Sequence, residues 1–186
     1  NIEIKKDDIK FIDLSSLKIT NCVGCFGCWT KTPGKCVIRD DAVKVYPEIA
    51  KSDTLLYVSR IKYGGYDTIM KTMLERAIPV QQAFIRIVAG ETHHIQREVT
   101  PKKATIIAYG DISEGEKEVF KKLISRNAHN MNFENYNIIF ATELQLEKAV
   151  TDEAQNADCV IMAAAVADYR PVECAKSKIK KDGNEE

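Results

Sequence analysis

Charge of one sign is what this 186-residue sequence lacks first. Its 27 Lys and Arg are matched by 27 Asp and Glu, for a formal net charge of zero. That excludes a binder working through a global basic field, and equally an acidic disordered chain. Long apolar runs are missing too. No stretch approaches the roughly 20 apolar residues of a membrane helix, and no charged segment followed by an apolar one opens the chain as a secretory leader would. Internal repeats and low-complexity segments are absent. What remains is a globular composition, 45% apolar and 29% charged, enough for one domain with a real core or one domain plus a fragment of another. The expectation is a cytoplasmic chain with neither nucleic acid nor membrane as partner.

The apolar residues fall into alternating strand and helix patterns. Ile9, Phe11, Ile12 and Leu14 form a short strand leading to a loop. Asp40 and Asp41 precede a helical pattern running to about Lys51. Asp53–Ser59 is a continuous apolar strand of the buried, parallel kind. A Gly64-Gly65 turn follows, and Ile69, Met70, Met73, Leu74 and Ala77 then repeat at helical spacing up to Pro79. Lys103–Gly110 is a second such strand. Ser113 with Glu116 reads as a capping box opening the next helix. Asn137–Ala141 is a third strand, Thr142 caps a helix reaching about Ala154, and Asp158–Ala165 is a fourth. This alternation predicts an α/β fold with an open, mostly parallel sheet. Ligands of such sheets bind outside the carboxyl ends of the strands, here the loops after Ser59, Ala108 and Ala165.

Four of the six cysteines crowd into Cys22-x2-Cys25-x2-Cys28-x7-Cys36, on a stretch that also carries Gly24, Gly27, Pro33 and Gly34. Thiolates so spaced on a curling loop can converge on one metal centre. C-x2-C-x2-C is the compact spacing of four-iron clusters. Zinc, which more often takes two separated pairs, and four simple reduced thiols are the alternatives. Cys159 and Cys174 read as inert. His93-His94 is a poor chelate, because adjacent side chains on a regular element point apart.

The stretches Cys22–Cys28, Gly34–Asp41, Asp53–Ser59, Arg60–Tyr66, Met70-Lys71, Leu74–Arg76 and Tyr109–Asp111, taken in order, resemble the flavodoxin-like NAD(P)H-dependent FMN reductases. Within that group they are most similar to the cysteine-rich branch that includes iron–sulfur flavoproteins. The resemblance implies a flavodoxin-like open parallel sheet with helices on both faces, of strand order 2-1-3-4-5 with FMN at the switch point. Ser59, Arg60, Ile61, Tyr63 and Gly64 would run along one edge of the isoalloxazine, with Tyr109 and Gly110 on its other side. NAD(P)H would supply hydride, and a small molecule or redox protein would accept the electrons. The assembly would be a homodimer, with the loops around Tyr66 or His93 near its interface. Cys22, Cys25, Cys28 and Cys36 would hold a 4Fe-4S cluster. Arg76 stands where the family has an Asp-Arg pair; here the pair is Glu75-Arg76. The family's opening strand and phosphate loop do not precede Ile9.

The end of the chain points elsewhere. Ala157–Pro171, followed by Lys178-Ile-Lys-Lys181, resembles phosphopantothenate–cysteine ligase, the CTP-dependent half of the bifunctional coenzyme A biosynthesis protein. That resemblance implies a nucleotide contact for Asp168 and a phosphate contact for Lys178. Two units are therefore expected. Residues 1–141 form a flavodoxin-like reductase domain without its first strand and phosphate loop. Residues 142–186 form a ligase-like helix, strand and basic tail packed on the same sheet. The strand the reductase lacks is its central one, and Cys159–Ala165 is of the kind that can fill the slot. The leading expectation is a flavin-mediated oxidoreductase. The alternatives are a CTP-binding ligase fragment and a chimeric α/β scaffold without catalysis.

Overall fold

A computed structural model of the chain describes residues 9–164. Five strands form one parallel sheet: β1 (Lys10–Asp13), β2 (Thr54–Lys62), β6 (Lys102–Tyr109), β7 (Phe133–Ala141) and β8 (Cys159–Ala163). Their order across the sheet is β1-β8-β2-β6-β7. The last strand thus lies between the first and second, with Phe11 opposite Val160 on one side and Leu56 opposite Val160 on the other. Counted by position, this is the doubly wound order 2-1-3-4-5, with β8 in the central place. Asp158 locks that place from the amino end. Its carbonyl accepts from Lys10 N (2.8 Å), its own N–H donates to Thr54 O (3.0 Å), and its carboxylate accepts from Thr54 N (3.0 Å).

The strands are nearly continuous apolar runs because both faces are covered. On one face Leu55, Tyr57, Ile106 and Ile161 pack against α2 (Ala42–Lys51), α3 (Thr68–Glu75) and α4 (Glu114–Met131). On the other, Leu56, Val58, Ile107, Val160 and Met162 pack against α5 (Leu146–Ala154). The period of two along each strand divides these sets. The flavodoxin-like sheet with helices on both faces is the fold observed.

Local chemistry sets most of the boundaries. Ser113 and Glu116 form the reciprocal capping box, and Asn132 in the left-handed region (φ 57) ends α4. Asp67 caps α3 through Thr68 N. Four details differ from the sequence reading. β2 continues three residues past Ser59, because Ile61 and Lys62 pair with the short β3 (Gly65–Tyr66). Thr142 does not cap α5; its N–H donates to the Gln145 side chain, and a turn precedes the helix. The cysteine stretch contains a one-turn helix, α1 (Gly27–Thr30). Residues 81–96 form an antiparallel hairpin, β4 (Gln81–Val88) and β5 (Glu91–Gln96), turning at Ala89-Gly90 with both φ positive. Alanine at the first turn position hid that hairpin, which Asn or Asp would have signalled. Among the described residues no helix is long and apolar enough to cross a membrane.

Candidate functional site

The carboxyl ends of β2 and β6 bring together all seven residues assigned to the flavin edge. Their side chains divide between the two sheet faces. Arg60 and Tyr109 are register partners, with the guanidinium 5.1 Å from the Tyr109 ring centroid and paired to Glu143 at 2.5 Å. Burial raises the Tyr109 phenol pKa, and Arg60 opposes that rise. Ser59 is fully buried and its hydroxyl donates to Arg60 O at 2.9 Å. Ile61 is core, facing the α2–α4 side. These two side chains therefore shape the sheet, and only their backbone is offered to the crevice.

The loop beyond is held by α4. Tyr63, with φ 54, leaves its ring almost wholly exposed and donates its N–H to Glu116 at 2.9 Å. Gly64 has φ 71, and a Cβ there would stand 2.7 Å from Val119. Glycine is required both for the backbone sign and for the close approach. Gly110, with φ 130, donates its N–H to Ala141 O. β8 ends in the same crevice, with Ala163 opposite Ser59.

The second constellation is the cysteine stretch. Cys22, Cys25, Cys28 and Cys36 all line one small pocket, closed by Val37, Glu75, Arg76 and Pro79. Gly24 and Phe26, both with positive φ, turn the chain between successive cysteines, of which Cys28 is buried and Cys25 exposed. Burial raises the Cys28 thiol pKa, and the neighbouring sulfurs, Cys36 foremost, raise it further. Among the described residues no three His, Cys, Asp or Glu side chains meet as ligands of a single ion. That holds for zinc as for any other single ion. The donor set, four thiols lining one pocket, is of the kind that holds an iron–sulfur cluster.

Arg76 is the residue whose role the sequence did not disclose. It is 1% exposed. One terminal nitrogen donates to Thr20 O (2.6 Å), Thr20 Oγ1 (3.2 Å) and Asp40 Oδ2 (2.7 Å). The other donates to Asp40 Oδ1 (2.8 Å), Ile38 O (3.3 Å) and Cys36 Sγ (3.4 Å). Asp40, read in sequence as part of a helix start, accepts this bidentate fork along with Thr20 N. Against the cost of burial, these hydrogen bonds hold its carboxyl well below the usual carboxylate range. The spacings involved, 36 and 56 residues, leave no local pattern to find.

The histidine pair divides as expected. His93 turns inward, with Nδ1 3.0 Å from Asn130 Oδ1 and its ring 5.1 Å from that of His129. His94 packs on Trp29 at 4.8 Å. Trp29 Nε1 donates to Gln81 O, joining the cysteine stretch to the hairpin. Cys159 is buried in β8, where burial pushes its thiol up to about 11. Cys174, Asp168 and Lys178 lie outside the described residues.

A family profile described as the DNA/pantothenate metabolism flavoprotein C-terminal domain matches residues 122–186. An iron–sulfur flavoprotein of Methanocaldococcus jannaschii is 29% identical over 77 residues, covering 41% of this chain and 39% of that protein. The coenzyme A biosynthesis bifunctional proteins CoaBC of Mycobacterium tuberculosis and Mycobacterium bovis are 57% identical over 37 residues. That is 20% of this chain and 9% of theirs. The chain thus spans less than half the length of each of these relatives, and it is similar to two kinds of protein.

Proposed function

We propose that this chain is a flavin-dependent electron-transfer domain that takes hydride from NAD(P)H into FMN and passes electrons through a 4Fe-4S cluster to a small molecule or redox protein. The observation that carries the reading is the pocket that Cys22, Cys25, Cys28 and Cys36 line together. Similarity to an iron–sulfur flavoprotein supports it. FMN would lie at the carboxyl ends of β8, β2 and β6, the switch point of such a sheet. Bound flavin supplies the hydride and single-electron chemistry. The chain's residues position it. The backbone of Ser59, Arg60 and Ile61 edges the ring, with Tyr63 and Gly64 in the loop beyond, Gly110 permits close approach, and Tyr109 backs it. Arg60, already paired with Glu143, would remain a wall of the site rather than a free anion receptor. The expected assembly is a homodimer.

A second reading has its own support in the match of residues 122–186 to the DNA/pantothenate metabolism flavoprotein C-terminal domain and in the similarity to CoaBC. In it, Asp168 and Lys178 would contact a cytidine nucleotide.

The test is reconstitution of the purified chain, once with FMN and once anaerobically with iron and sulfide. Quenched flavin fluorescence, and iron and sulfide bound in a ratio lost on Cys22→Ser and Cys36→Ser, are the expected results. A chain that quenches no FMN and takes up no iron, but binds CTP, would replace this reading with the second.

A further inference from the structure

Of the four cysteines, Cys36 is the one whose sulfur accepts a hydrogen bond from a buried cation, Arg76 at 3.4 Å. The same guanidinium grips the arm that leads into the cysteine stretch, at Thr20, and the arm that leaves it, at Ile38 and Asp40. It is held at both terminal nitrogens, on the residue that caps α3 and forks onto Asp40, while its buried Nε has no partner. A charge so held in a low-dielectric site acts far more strongly than one in water.

We propose that Arg76 is a positioning residue that holds Cys36 in place and sets the electron affinity of the cluster this pocket takes. The proposal rests on the cluster reading above. When the cluster accepts one electron, here from dithionite, the thiolate-ringed pocket gains one negative charge and no bond breaks. A fixed cation at the Cys36 sulfur favours that reduced state. Asp40, whose carboxylate shares one terminal nitrogen with the Cys36 sulfur, tempers the effect. Removing the cation and removing its counter-anion should therefore move the cluster in opposite directions.

The experiment is a dithionite redox titration of the iron-reconstituted full chain, followed by absorbance and by the spin resonance of the reduced cluster. Arg76→Gln should shift the midpoint to more negative potential. Asp40→Asn should shift it to more positive potential. Arg76→Lys, which keeps the charge but not the fork, should fall closer to the wild type than Arg76→Gln does, and its reduced-state spectrum should broaden as Cys36 loses its fixed position. If Arg76→Gln does not fold, the sign of the Asp40→Asn shift decides. Unmoved midpoints, or shifts of the same sign in Arg76→Gln and Asp40→Asn, would overturn the proposal while leaving the cluster reading intact. A wild-type chain that takes up no iron would overturn both.

Discussion

The strand-end rim and the cysteine pocket are built by opposite means. The rim is positioned by regular structure. Arg60 faces Tyr109 because two parallel strands are in register, and Gly64 is pressed onto α4 by a capping box nearby. The pocket has almost no regular structure, only the single turn α1. Its shape depends on one guanidinium reaching backbone far away in sequence. The lesson is that a site on strand ends inherits its precision from the sheet, whereas a site on a loop must supply its own buried anchor.

The sharpest way to break this comparison is to remove the anchor. Arg76→Met leaves the Asp40 carboxylate, 13% exposed, without its partner, and should cost about 3–5 kcal/mol in urea unfolding. The pH dependence gives a second mark. Asp40 titrates lower in the folded chain than in the unfolded one, so its contribution is fully present above about pH 4 and is lost as pH falls through the folded value. The variant should lack that acid limb. A variant as stable as wild type would mean the pocket closes without Arg76.

The next test concerns the sheet that serves the rim. Ile161 in β8 is fully buried and its strand is paired on both sides. Ile138 lies half-buried on the edge strand β7. Ile161→Ala should cost about 3–4 kcal/mol, against about 1–2 for Ile138→Ala. Equal costs would mean that β8 does not bear the central position.

The ease of reading the two regions follows the same division. The strands and α4 were legible because apolar period and capping are local, and the motifs Arg60–Tyr66 and Tyr109–Gly110 came with their strands. The central placement of β8 was foreseeable from a vacancy in the expected sheet rather than from the strand itself. The spacing of the cysteines was legible, but their enclosure by Glu75, Arg76 and Pro79 was not, since it depends on α3 docking beside residues far upstream. The hairpin escaped notice because its exposed Phe84, Ile85 and Ile87 do not alternate in polarity and its turn carries Ala89 where Asn would be diagnostic.

Glycine substitutions sharpen the contrast at smaller cost. Gly64→Ala meets both a positive φ and Val119 at 2.7 Å, and should lose about 2 kcal/mol. Gly24→Ala, with φ 63 and open space around it, should lose about 1 kcal/mol from φ alone. Combining Gly64→Ala with Val119→Ala should recover part of the first loss. Thermal melts of the set read these differences, and identical costs at the two glycines would remove the steric argument for the rim.

The smallest effect lies at the opposite end of the sheet, where neither region reaches. Lys102 begins β6 with its side chain 1% exposed, its ammonium donating to Thr100 O and Ala50 O. Burial pushes its pKa down to about 8. An unfolded lysine titrates near 10.4, so between about pH 8 and 10.4 the unfolded chain binds more protons, and stability rises with pH across that window. Lys102→Met carries no such proton. It should be more stable than wild type by about 1 kcal/mol at pH 7, with the gap closing as pH climbs through the window. Urea titrations at pH 7 and pH 10 check both the size and the slope. A methionine variant less stable than wild type at pH 7 would show that the two carbonyls hold the start of β6 more strongly than the buried charge loosens it.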